Sequence, residues 1–134
     1  MNSISKMQMV DSAHASKLAA AGVSTAEALL KRGATAEGRR HLASDTSIDE
    51  AHILRYVNFA DLCRVKGVSV AYSNLLEAAG VDTVAELGQR NAANLHAALA
   101  EANAQHGVVK QLPSLSKVEA WVQHAKQLGR GVHY

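Results

Sequence analysis

At 134 residues the chain suffices for one domain of ordinary size, or for two small, tightly packed subdomains with a buried core. Hydrophobic residues make up 48% and charged residues 19%, a balance that excludes a disordered segment. A formal net charge of +2 excludes the strongly basic footprint of a dedicated nucleic-acid coat, and what excess there is falls after residue 61.

Alanine is abundant, β-branched runs are short and Pro113 is the only proline, so helices are predicted throughout and no strand. Ile4, Met7 and Val10 mark the apolar face of the opening segment. The helix after it closes at Gly22, and Ser24–Glu27 fits the S/T-x-x-E box that opens the next. Lys31, Arg32, Arg39 and Arg40 bracket Gly33 and Gly38 at a further helix start. This densest basic group is either a phosphate-contacting set or a solvated helix face. Ser47–Glu50 is a second box, opening a helix with Ile53, Leu54 and Val57 at helical spacing, and Phe59 to Leu62 connect the halves.

The second half begins with Leu62 and Val65 on one helical face and a turn at Gly67, followed by a helix that closes at Gly80. Thr83–Glu86 is a third box, Asn91 caps a helix running to about His106 with Gly107 closing it, and Ser116–Glu119 opens a last helix carrying Val118, Trp121, Val122 and Ala125. The ending LGRGVHY is broken by glycines, and is either frayed or docked.

An internal repeat organises these elements. ASKLAAAGVSTAEALLKRG from Ala15 lies over SNLLEAAGVDTVAELGQRN from Ser73 at an offset of 58, with eight of nineteen positions identical. RYVNFA from Arg55 pairs with AWVQHA from Ala120 after about seven extra residues in the second copy. The expected architecture is all-α, a bundle of eight to ten short helices in two copies, residues 1–61 and 62–134, packed as one globular unit.

The stretch LCRVKGVSVAYSNLL from Leu62 matches the helix-hairpin-helix pattern. Leu62 and Val65 form the first apolar face, Gly67 makes the turn, Val68 plugs the core, and Ser73 takes the small position where two helices touch. Unpaired amides and the positive end of the second helix attract a phosphate, and no acid occurs between Leu62 and Leu76. Arg64, Lys66, Gly67, Val68, Ser69 and Val70 are therefore the candidate nucleic-acid-binding residues, with Ser69 where the pattern has its second glycine. In the first copy those glycine positions hold Met9 and Asp11, and a carboxylate there repels phosphate.

The run DLCRVKGVSVAYSNLLEAAGVDTVAELGQRNAANLHAALAEAN, then LPSLSKVEAWVQHAKQL and GRGVHY, resembles a bacterial family catalogued as a domain of unknown function, number 4332. AAGVDTVAEL and NLHAAL are the most specific pieces, and the resemblance covers nearly the whole chain. It implies two tandem helix-hairpin-helix-like repeats related to the sterile-alpha-motif (SAM-like) folds, and names no activity.

Other chemistry finds little support. Cys63 sits beside Arg64 but reads as an ordinary buried or half-buried thiol, and as the only cysteine it forms no internal disulfide, which suits a reducing cytoplasm. The seven histidines show no ligand spacing and read as scattered helix-surface residues; Asp45, Asp49 and Glu50 form an acidic cluster of which Asp49 and Glu50 read as helix-start acids. Tyr56 and Trp121 read as core, and Tyr72 as either packing or contact. No apolar run is long enough to cross a bilayer, and the opening MNSISKMQMV has no signal-peptide centre. The sequence thus leads to a cytoplasmic, non-enzymatic module without metal or cofactor. Its partner is the DNA phosphate backbone or, alternatively, a protein held as an adaptor holds it.

Overall fold

Eight α-helices form among the described residues: α1 (Ser12–Ala20), α2 (Ala26–Gly33), α3 (Ala36–Thr46), α4 (Glu50–Leu62), α5 (Val70–Ala78), α6 (Val84–Gly88), α7 (Ala92–His106) and α8 (Leu115–Leu128). They were obtained in a computed structural model that describes Ser3, Ile4 and residues 10–134; the expectations placed on Met7 and Met9 lie outside the described residues. Extended structure among the described residues is limited to an isolated bridge between Ser3 and Thr25. No helix among them is long and apolar enough to cross a membrane.

Side-chain caps set most helix starts. The side chains of Asp11, Thr25, Thr35, Ser69, Thr83, Asn91 and Ser114 each accept a backbone N–H from the first turn that follows. Three predicted boxes move. Thr25, in extended backbone, caps α2 in place of Ser24, whose carbonyl instead accepts the Ile4 amide at 3.0 Å. Ser114 caps α8 two residues before Ser116. Ser47 does not open α4 at all. It closes α3 at φ 60°, and Asp49 takes the opening role by accepting the His52 amide at 2.9 Å. The predicted connector from Phe59 to Leu62 is the last turn of α4, since Phe59, Ala60 and Leu62 are all buried and nothing in the run breaks a helix.

The chain divides into two compact units, Met1–Asp61 with Gly131–Tyr134, and Leu62–Arg130. In the first, α3 packs against α1 and α2, and the core holds Leu18, Leu29, Leu42, Ile53, Tyr56 and Phe59. In the second, α8 packs against α6 and α7, α7 also meets α5, and Trp121 is the largest buried side chain.

Local geometry recurs 58 residues along the chain. Asp11 and Ser69 cap α1 and α5, and Thr25 and Thr83 cap α2 and α6. Gly22 and Gly80 stand just beyond α1 and α5 at φ 84° and 89°. The following valine amides, Val23 and Val81, return to the carbonyls of Leu18 and Leu76, both at 2.8 Å, which satisfies the last turn of each helix.

The ending is docked. Val132 is buried within the first unit, and the His133 amide donates to the Ala34 carbonyl at 2.7 Å. Arg39 holds it there. Its guanidinium donates to the carbonyls of Gly33, Ala34 and His133 at 2.9, 3.2 and 2.8 Å and lies over the Tyr134 ring. The densest basic group is thereby broken up: Arg39 is buried, and Arg32 pairs with Asp45 at 3.4 Å.

Candidate nucleic-acid interface

Seven residues, Cys63 to Ser69, lie between α4 and α5 within the second unit. Val65 and Val68 anchor this turn, both buried, with the Val65 amide bonded to Leu62 and the Val68 amide to Val65 at 3.1 and 3.0 Å. Between them Lys66 and Gly67 are exposed. Gly67 takes φ 88°, a backbone conformation that side chains disfavour, so the turn reverses there at low cost.

Ser69 then starts α5. Its hydroxyl accepts the Tyr72 amide at 3.2 Å and its carbonyl accepts the Ser73 amide at 2.8 Å. Among the described residues the amides of Gly67, Ser69, Val70 and Ala71 have no acceptor. They sit at the positive end of a nine-residue helix, where an anion is stabilised by both the N–H groups and the dipole.

The six sequence candidates are thus adjacent but unequal. Gly67, Ser69 and Val70 contribute open amides, and Lys66 an exposed ammonium. The amide of Val68 is already bonded inside the turn, so this residue plugs the core and donates nothing outward. Arg64 is half-buried and turned toward the end of α8, where its guanidinium donates to the carbonyls of Leu128 and Gly129 at 3.1 and 3.2 Å. A cation at a helix C-terminus is favourable, which is reason enough for that direction. Ala71 adds an open amide that the sequence reading omitted.

Two residues of α8 complete the turn. His124 Nδ1 accepts the Lys66 amide at 3.0 Å, so in the neutral ring Nε2 carries the proton. Trp121 lies under Gly67, its Nε1 3.2 Å from where a side chain at Gly67 would begin. Tyr72 packs on the Trp121 ring with centroids 5.2 Å apart, so it is a packing residue that also borders the turn. The register shows why His124 was missed: it pairs with Phe59 in the alignment of RYVNFA over AWVQHA, and Phe59 is buried.

In the first unit the corresponding helix start is occupied by the protein's own carboxylate. Asp11 Oδ1 accepts the Ala13 amide at 2.8 Å. Its histidines are also less scattered than their spacing suggests. His14 Nδ1 shares a 2.7 Å hydrogen bond with the Tyr56 hydroxyl, and the His14 ring meets that of His52 at 5.2 Å. His52 bonds Asp49 at 2.7 Å, and hydrogen bonds from the His52 amide and ring hold the Asp49 carboxyl below the usual carboxylate range. In the second unit His96 bonds the Pro113 carbonyl at 3.1 Å. No group of three or more potential metal ligands gathers among the described residues. Cys63 is half-buried, one residue past the end of α4.

A family model described as a domain of unknown function (DUF4332) matches residues 8–128, and the chain belongs to that family. No curated protein matches it, and no solved structure does.

Proposed function

We propose that this DUF4332 chain is a non-enzymatic module, two tandem helix-hairpin-helix-like units of SAM-like type, that holds the DNA backbone without reading sequence. The observation that carries the reading is the run of open amides at Gly67, Ser69, Val70 and Ala71 beside the exposed Lys66. Phosphate oxygens satisfy such amides directly, and the absence of any acid from Leu62 to Leu76 keeps the local field favourable. The first unit contributes packing and not binding, because Asp11 already fills its helix start. Arg64 acts through the fold by tying α8 beneath the turn.

Titration of a short DNA duplex tests this. Affinity falls as salt rises, with a slope of about −0.9 per phosphate neutralised, so one or two contacts give a shallow slope. Lys66→Glu weakens binding at least about tenfold at low salt, by reversing a charge next to the phosphate, with helix content unchanged. Absence of binding at low salt, or an unaltered affinity in that variant, refutes the proposal.

A protein–protein adaptor is the second reading. It draws on Leu112 and Leu115, which are 38% and 41% exposed. A discrete partner retained after nuclease treatment favours it.

A further inference from the structure

We propose that the indole N–H of Trp121 is itself a ligand group of the α4–α5 turn, donating to a phosphate oxygen held by the start of α5. The inference rests on the phosphate-binding reading above and adds a donor that no amide pattern in the turn supplies.

Trp121 is 2% exposed, and a tryptophan buried this deeply ordinarily finds an acceptor for its N–H. Here none exists among the described residues; the aromatic ring beside it, Tyr72, is tilted by 55° to the indole. The atom is not sealed away, however. Asn58 Oδ1 is the single side-chain nitrogen or oxygen among the described, non-exposed residues that is both closed to solvent and unpartnered. The indole N–H therefore reaches solvent, and it does so at Gly67, with Nε1 3.2 Å from where a Cβ there would stand.

Gly67 thus serves two ends. Its positive φ turns the chain, and its missing side chain leaves the indole N–H uncovered. Any larger residue at this position would lie over Nε1. The open amides of Gly67, Ser69, Val70 and Ala71 lie along the turn and the start of α5, the indole of α8 lies against Gly67, and all of these groups only donate. The group that fits such a set accepts several hydrogen bonds and carries negative charge, as a phosphate does. Tyr72, packed at a tilt against the same ring with centroids 5.2 Å apart, helps hold the indole's orientation.

The chain contains a single tryptophan, so its indole N–H gives one resonance in a proton–nitrogen correlation spectrum and its fluorescence reports one site. The full chain is titrated with a short random-sequence DNA duplex and, separately, with inorganic phosphate. The indole resonance is expected to shift and saturate with the same dissociation constant as the duplex. Trp121→Phe keeps an aromatic ring but lacks the donor. It is expected to weaken duplex binding about tenfold, the loss for one hydrogen bond to a charged oxygen.

If the duplex binds while the indole resonance stays still and Trp121→Phe binds as wild type does, the indole role is overturned and the turn reading stands. If nothing binds, both fall. If inorganic phosphate moves the resonance and the duplex does not, the indole donates to a free phosphate group and the nucleic-acid reading fails. Should Trp121→Phe not fold, the resonance of the unmutated chain decides.

Discussion

Replacing Ser69 by aspartate separates the fold from the binding. Ser69 caps α5 through its hydroxyl, accepting the Tyr72 amide at 3.2 Å, and Asp11 performs the matching task for α1 with a carboxylate that accepts the Ala13 amide at 2.8 Å. Aspartate and serine are about equal as N-caps, and a negative charge at a helix start adds about 0.3–1 kcal/mol through the dipole. The variant therefore melts at the same temperature as wild type or slightly above it.

Binding moves the other way. A carboxylate held by one amide of the first turn stands roughly 5 Å from a phosphate held by the others, which at an effective dielectric of 20 to 80 costs about 1–3 kcal/mol. That is roughly a five- to 150-fold loss of affinity. Far-ultraviolet circular dichroism on heating measures the first effect, and fluorescence anisotropy of a labelled duplex the second. A Ser69→Asp chain that binds with wild-type affinity removes the turn from the binding surface. One that melts well below wild type refutes the cap argument instead.

Asp82 supplies a pH test. Burial, reinforced by Glu86 and Glu77, raises its carboxyl above the usual value. The folded chain thus holds this proton more tightly than the unfolded chain, and the ionised form lowers stability at neutral pH. That penalty fades as pH falls through the raised value. Asp82→Asn accordingly raises the melting temperature at neutral pH and has no such effect in acid, a comparison made by melting the pair at both. Arg39→Met removes the donors to three carbonyls, Gly33, Ala34 and His133. It lowers stability by about 2 kcal/mol, as expected when buried and part-buried carbonyls lose a charged donor, and chemical denaturation measures the loss. Hydrogen exchange at the His133 amide should quicken in the same variant, and an unchanged rate there refutes the clamp.

Helix content was legible because alanine, capping residues and terminal glycines act within a few positions of one another. Asn91 and Gly107 bound α7 as expected, and Gly22 and Gly80 stand where the chain leaves α1 and α5. The shifted caps show the limit of that locality. Ser47 has a capping residue's chemistry, but α3 runs up to it, and the next helix begins only after Ile48 has been buried. The site was legible to the same depth. Gly67 and Ser69 announce a turn and a helix start, whereas the directions of Arg64, His124 and Trp121 depend on α8, more than fifty residues on. Charge alone misassigned Arg39, since a guanidinium surrounded by backbone carbonyls looks the same in sequence as one facing water.

The return of Gly131–Tyr134 to the first unit bears on the order in which the molecule assembles. Leu62–Arg130 is an uninterrupted stretch whose internal contacts are all available once residue 130 has emerged from the ribosome. The earlier stretch has to wait for Val132 to fill its core and for His133 to reach Arg39. Domains generally mature in the order they emerge from a ribosome, but the earlier-made unit of this protein stays incomplete until Gly131–Tyr134 have followed the whole of the second.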